Sequence, residues 1–225
     1  MAEGVTDASG GSEAEEARLA RKARRQERRR QRILEAATDL LVEGGPEALT
    51  MAALAERADT SPSTLYYYLP GREAVLDAIT ADIVERDSDA QLAALEATAG
   101  QGGVESLCAI MEARARLVLD DPDRLGALYL HLVTVRVSKT VLEERVYPAA
   151  WKVMGELERR LREDQEAGRV HPELDPRRFA NVGFYATQGI LTMWLGMQRM
   201  GGELRFPVEE LIEEAKATVR RAAAV

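Results

Sequence analysis

Hydrophobic residues recur at helical spacing along most of the chain, and no run shows the alternating period of a strand. Glycine and proline cut the pattern into segments. The first ends at Glu43, with Ile33, Ala37, Leu40 and Leu41 on one face and Glu35, Asp39 and Glu43 on the other, and Gly44-Gly45-Pro46 stops it. Thr50 then caps a short helix over 51–58 that buries Met51, Leu54 and Ala55. After Asp59-Thr60 comes another start, Ser61 as N-cap and Pro62 in the first helical position, where its missing N–H costs nothing. Pro70-Gly71 ends this helix by Leu69. Arg72 opens the next, which sets Val75, Leu76, Ile79 and Ile83 in register and runs on towards Leu95.

Gly100 to Gly103 breaks the chain, and beyond it Val104, Leu107, Cys108, Met111, Ala115 and Val118 form the stripe of a helix stopped by Asp120-Asp121-Pro122. Residues 125–135 are apolar on nearly every side, the pattern of a helix buried all round. Residues 140–167 keep Leu142, Val146, Ala150, Val153, Leu157 and Leu161 in register, and Gly168 ends them. Residues 175–200 and 208–222 give two more helices, the last amphipathic through Leu211, Ile212, Ala215 and Val219. The expectation is an all-α fold of about nine helices, with a small N-terminal helical domain and a larger C-terminal one. The uncharged stretch from Phe179 to Gln198 is long enough to raise the question of a membrane span. Asn181, Thr187, Gln188, Thr192 and three glycines make it too polar for one.

With 225 residues, 46% hydrophobic and 30% charged, the chain can bury one or two cores. Cys108 is the single cysteine, so neither a disulfide nor a thiolate metal cluster can be assembled within one chain, which suits a reducing cytoplasm. The polar N-terminus lacks the apolar core of an export signal. The net charge of -8 hides an asymmetry: residues 1–17 hold five acids and no base, whereas residues 18–32 hold nine Lys/Arg and one Glu. A largely acidic body with one basic segment confines contact with a polyanion to one face. By itself the run suits a solvated tail equally well. Ser12 with Glu15 makes a capping box, so this basic, flexible arm can also continue the first helix. The sequence contains no nucleophile elbow, phosphate-cradling glycine loop or metal-spaced His/Cys set, and its two histidines, His131 and His171, fall on different segments. No enzyme, cofactor or metal site is expected.

Two short helices joined by a tight turn, the second polar and aromatic outward, suit a major-groove reader. In SPSTLYYYL, Leu65 and Leu69 face inward, leaving Pro62, Ser63, Thr64, Tyr66, Tyr67 and Tyr68 for DNA. Three consecutive tyrosines cannot all be buried on two helical turns. A helical hairpin with a tyrosine-rich protein interface accounts for these residues alone just as well.

Residues 33–80, ILEAATDLLVEGGPEALTMAALAERADTSPSTLYYYLPGREAVLDAIT, resemble the N-terminal domain of the tetracycline repressor (TetR) family. The resemblance implies that Thr50 meets a phosphate, that Ser61 to Thr64 and Tyr66 to Tyr68 form the reading surface, and that Arg72 meets the DNA backbone. Asp59, Leu69, Gly71 and Arg72 depart from the usual Gly, Phe, Ser/Asn and Lys, and Tyr68 from a frequent His, so no base preference carries over. In this context Arg28, Arg29, Arg30 and Arg32 are expected to enter a neighbouring minor groove. The implied organisation is an arm over 1–32, a helix-turn-helix domain over 33–80 and a ligand-binding and dimerisation domain over 81–225.

Dimerisation is expected through Gly183, Ala186, Ile190, Met193, Trp194 and Met197 of one helix and Leu211, Ile212 and Ala215 of the next, which the resemblance implies pack against their copies as a four-helix bundle; the alternative is that the first is the buried helix of a monomer. Candidate effector contacts, chosen as polar groups on apolar faces, are Arg114, Tyr129, His131, Tyr147, Trp151, Asn181, Tyr185, Gln188 and Thr192. Function follows as an expectation: a cytoplasmic, homodimeric repressor, released from double-stranded operator DNA by a small-molecule inducer. An activator or ligand-independent regulator of the same fold is the alternative, and a small-ligand carrier with an RNA- or lipid-binding arm a further one.

Overall fold

The structure, a computed structural model, describes residues 9–126 and 138–225. Tyr129, His131 and most of the helix expected over 125–135 lie outside the described residues. The described residues form helices joined by turns, with no strand among them. Helix α1 spans Ser9–Ala48, so the basic segment is a helix continuous with the first segment of the folded domain. It starts at Ser9, ahead of the expected capping box at Ser12. From Ser12 to Glu43 the chain has neither glycine nor proline and is rich in Ala, Arg, Glu, Gln and Leu, which lose little side-chain freedom in a helix. Gly45 interrupts the run with φ 69°, a conformation that favours glycine.

Helices α2 (Met51–Arg57), α3 (Pro62–Tyr68) and α4 (Arg72–Ala97) follow. The chain divides into two compact units, residues 1–75 and 76–225. In the first unit, Ile33, Ala37 and Leu41 of α1 are buried together with Leu49, Leu54 and Leu65. Arg57 on α2 donates two hydrogen bonds to the Glu43 carboxylate on α1, at 2.9 and 2.6 Å. That pairing holds Glu43 below the usual carboxylate range.

In the second unit, α5 (Gly103–Leu119) packs against three partners: α6 (Tyr147–Glu166), α7 (Pro176–Arg199) and α8 (Val208–Ala223). Leu107, Ile110 and Met111 of α5 meet Leu157 and Leu161 of α6 in one core cluster, and Val118 meets Leu191 and Ile212 in another. Cys108 sits in the first, where burial pushes its thiol up to about 11. Helices α5 and α6 cross closely at Gly103, where a Cβ would stand 2.6 Å from the Leu161 backbone nitrogen. Asp164 secures the crossing, accepting from the Gly103 N–H at 2.6 Å and from Arg169 at 2.6 and 3.0 Å.

The helix expected over 140–167 is not uniform. A turn at Lys139–Val141 and a π-helical turn at Leu142–Val146 precede α6. Pro148 lacks the N–H that would bond the carbonyl four residues back, and the backbone widens just ahead of it. A second π-helical turn, Pro122–Gly126, follows α5.

Helix α7 buries one side within the protomer. Ala180, Gly183, Thr187, Leu191 and Leu195 face the core, and Val182, Tyr185 and Met193 are exposed. Gly183 and Ile212, expected at a dimer interface, therefore face the protomer's own interior. A Cβ on Gly183 would come 2.9 Å from Leu107 Cδ2, and Ile212 packs in the cluster with Leu191.

Candidate functional site

The helix-turn-helix is built from local signals. The Thr50 side chain accepts from the Ala53 N–H at 3.1 Å and starts α2. Asp59 takes φ 46° in the turn, which aspartate visits more readily than most side chains. Ser61 then caps α3 by accepting from the Thr64 N–H at 3.2 Å, with Pro62 at the first helical position. Its hydroxyl also meets Ser63 Oγ at 3.1 Å and Thr64 Oγ1 at 2.8 Å.

Within α3 only Leu65 is fully buried, and Leu69 at the C-cap is buried beside it. Tyr66 is 51% exposed and Tyr67 74% exposed. Tyr68 is half-buried, its ring edge-on to Tyr67 with centroids 5.2 Å apart. Ser61, Pro62 and Ser63 are exposed and Thr64 half-buried, so the sequence-assigned reading residues share one outward surface. Arg72 behaves otherwise. Its guanidinium donates to the Leu49 carbonyl at 3.0 Å and to the Pro46 carbonyl at 2.7 Å, fastening the start of α4 to the connection between α1 and α2.

Arg28, Arg29, Arg30 and Arg32 lie on helix α1, not on an extended strand of chain. Arg29 reaches Thr60 Oγ1 at 3.3 Å, one residue ahead of the α3 cap. Arg30 pairs with Glu27 at 3.6 Å.

A second constellation lies in the larger unit. Arg114 is 2% exposed, donates to Gln188 Oε1 at 2.8 Å and lies 3.5 Å above the centre of the Phe184 ring. Its Nε stands 3.5 Å from Asp87 Oδ1 on α4. Burial pushes the Asp87 carboxyl above its ordinary value, and Arg114 and a hydrogen bond from Gln91 oppose the shift. Asp87, Ser88 and Gln91 share a cavity of about 100 Å³ with Phe184 and the apolar Val84, Val146, Val153 and Met154. Gln188 in turn donates to Thr192 Oγ1 at 3.3 Å.

Of the effector candidates, the structure thus groups Arg114, Gln188 and Thr192. Tyr147 and Trp151 are exposed and stack on each other with centroids 5.8 Å apart. Tyr185 is exposed too, and Asn181 bonds back to the Arg177 carbonyl within its own helix. Sequence reasoning missed Asp87 and Gln91. The signal was there: Ile83, Asp87, Gln91 and Leu95 continue one stripe at spacings of four, so two polar groups occupy inward positions of α4.

Residues 33–79 match the family described as bacterial regulatory proteins, tetR family. The match is confined to the helix-turn-helix segment. Over 58 residues it is 47% identical to the HTH-type transcriptional repressor KstR of Rhodococcus jostii, a match covering 26% of this chain and 27% of KstR. The chain thus matches about a quarter of the length of that relative. The likeness of fold extends further: a solved protein of unknown function from Rhodococcus sp. RHA1 is 26% identical, with TM-score 0.67 over 88% of this chain and 96% of that one. AibR, solved with isovaleryl coenzyme A and operator DNA, shares the fold at 20% identity and TM-score 0.64, over 84% of this chain and 97% of AibR. Among the described residues, no helix is long and apolar enough to cross a membrane, and no cluster of His, Cys, Asp and Glu could hold a metal ion.

Proposed function

We propose that this protein is a sequence-specific, DNA-binding transcriptional regulator that works as a homodimer in the cytoplasm and releases its operator when a small molecule binds. The observation that carries the reading is the outward face of α3. A seven-residue helix held inward by Leu65 presents Tyr66 and Tyr67 to solvent beside the exposed Ser61, Pro62 and Ser63. An α-helix fits the major groove, and its N-terminal residues meet base edges there. In this reading Pro62, Ser63, Thr64 and the tyrosines read bases and phosphates, Thr50 meets a flanking phosphate, and Arg72 braces the head from behind.

A second copy supplies the second half-site, roughly 34 Å or a multiple of it away. The exposed Val182, Tyr185 and Met193 of α7 lie on one side at helical spacing, with Phe206 exposed just before α8. Ala186, Ile190, Trp194, Met197, Leu211 and Ala215, all half-buried in the single chain, border this face. The effector enters at the cavity beside Asp87 and Arg114, which widens from its present volume of about 100 Å³ to admit it. AibR, of similar fold, was solved with both an acyl-coenzyme A and operator DNA, so acyl-coenzyme A thioesters are the first effectors to test. Because the cavity side chains Asp87, Ser88 and Gln91 lie on α4, a ligand favouring one placement of α4 weakens DNA binding, and DNA weakens the ligand by the same factor.

The test is selection of duplexes from a randomised pool by the full chain, then fluorescence anisotropy on the enriched duplex with and without acyl-coenzyme A thioesters of increasing chain length. A saturable, sequence-dependent complex supports the reading. Failure to enrich any sequence overturns it.

A further inference from the structure

The basic helix that precedes the helix-turn-helix carries seven of its nine cations on one side, with Arg24 and Arg30 off it. At 100° per residue, Arg18, Arg21, Lys22, Arg25, Arg28, Arg29 and Arg32 fall within about 120° of the α1 circumference. Six of these are exposed, and Arg29 is half-buried where it meets Thr60. The acids of the same stretch, Glu15, Glu16 and Glu27, fall on the remaining circumference, and Glu27 takes the off-stripe Arg30 as its partner. The arrangement works against the helix that bears it. Arg18 and Lys22, Arg21 and Arg25, Arg25 and Arg29, and Arg28 and Arg32 are like-charged neighbours four apart, each pair unfavourable in an isolated helix. A stripe of this kind becomes favourable only against a polyanion.

The Arg29 contact fixes where the stripe leads. Thr60 immediately precedes the cap of α3, so the cations begin at the amino end of the reading helix and run away from it along α1. From Arg32 to Arg18 the stripe extends about 21 Å at 1.5 Å per residue. That equals the rise of about six base pairs at 3.4 Å each.

We infer that the α1 extension is a rigid phosphate-binding rail, which lies along the DNA backbone flanking the half-site and lengthens the operator by about six base pairs per protomer. The inference rests on the DNA-binding reading above. It replaces the minor-groove arm expected from sequence, because helical arginines spaced on one face meet successive phosphates instead of threading a groove as an extended chain.

The test uses the full chain and a 60-base-pair duplex enriched from a randomised pool, with hydroxyl-radical footprinting and the salt dependence of affinity as readouts. The variant R18Q/R21Q/K22Q/R25Q removes charge and keeps helix propensity. It is expected to retain protection of the half-sites, lose protection of the flanks, and reduce the slope of log K against log salt by about 0.9 for each phosphate no longer neutralised. Ala23→Pro keeps all nine cations but breaks the helix between Lys22 and Arg24. It is expected to lose the outer flank protection as well, with circular dichroism confirming that the rest of the chain stays folded.

A wild-type footprint ending at the half-sites overturns the rail and leaves the regulator intact. So does an Ala23→Pro footprint identical to wild type, which would make the segment a flexible arm. Loss of binding to phosphatidylglycerol vesicles by the charge variant, with its DNA footprint unchanged, would assign the stripe to lipid and overturn the inference equally. Absence of any wild-type complex with DNA removes the regulator reading and the rail together.

Discussion

Leu65 and Tyr67 are two residues apart on α3 and should fail in opposite ways when replaced by alanine. Leu65 is fully buried and is the residue through which α3 holds to its unit. Leu65→Ala removes three carbons and leaves a cavity, at a cost of about 2.7–5.0 kcal/mol. A unit of residues 1–75 has about 4–11 kcal/mol of stability at the usual figure per residue. The substitution should therefore consume between a quarter and all of it. The first unit is expected to melt at least about 10 °C lower while the second holds, splitting the thermal transition seen by circular dichroism.

Tyr67, 74% exposed, gives up mainly its edge-on contact with Tyr68, about 1 kcal/mol at most in so open a setting. Tyr67→Ala is thus expected to melt at most about 8 °C below wild type, short of the loss expected for Leu65→Ala. On the enriched duplex, however, removing one reading side chain from each of two protomers should weaken binding by at least tenfold, at about 1–3 kcal/mol per side chain. A Tyr67→Ala chain that melts as early as Leu65→Ala, or that binds the duplex as wild type does, would refute the division of α3 into an anchoring and a reading side.

Other outcomes follow from the second unit. Met193→Glu places a charge on the exposed face of α7 and is expected to give single chains by light scattering where wild type gives pairs; persistence of the pair would move the interface elsewhere. Asp164→Ala removes the acceptor of the Gly103 N–H and of Arg169 and should cost about 1.5–3 kcal/mol in urea unfolding; a change below about 0.5 kcal/mol, a bound set by the usual size of surface effects, would show that the crossing holds without it. Burial holds the folded Asp87 carboxyl above its ordinary 3.8, so the stability linked to its proton is complete below that pH and is lost as pH rises through the folded value. Asp87→Asn should therefore gain on wild type as pH rises above 3.8 in urea titrations, and a difference constant with pH would contradict the shift.

Much of the first unit could be read from local chemistry alone. Ser61 and Pro62 place the start of α3, Pro70-Gly71 its end, and Leu65 and Leu69 its inner side, because short-range caps and breakers decide each of these. The exposed face of α7 could not be read this way. From Phe179 to Gln198 there is no charge to mark the solvent side, so several apolar stripes compete, and the close approach of Leu107 to Gly183 decides between them. Asp87 and Gln91 escaped for the converse reason: on an amphipathic helix a polar side chain reads as solvent-facing until a partner such as Arg114, distant in sequence, draws it inward. Arg72 is a further case, a cation whose charge suggested phosphate and whose donors meet the Pro46 and Leu49 carbonyls.

The anchoring of α3 through Leu65 and its C-cap Leu69 bears, under the proposed DNA-binding reading, on how such a protein changes its targets over time. Most side chains of the helix contribute little to keeping the unit folded, so substitutions at 62, 63, 66 and 67 can accumulate under selection for a new operator while the scaffold tolerates the drift. Under the regulator reading proposed above, a lineage could retune its targets without passing through unfolded intermediates, and a laboratory library restricted to those four positions would sample the same space.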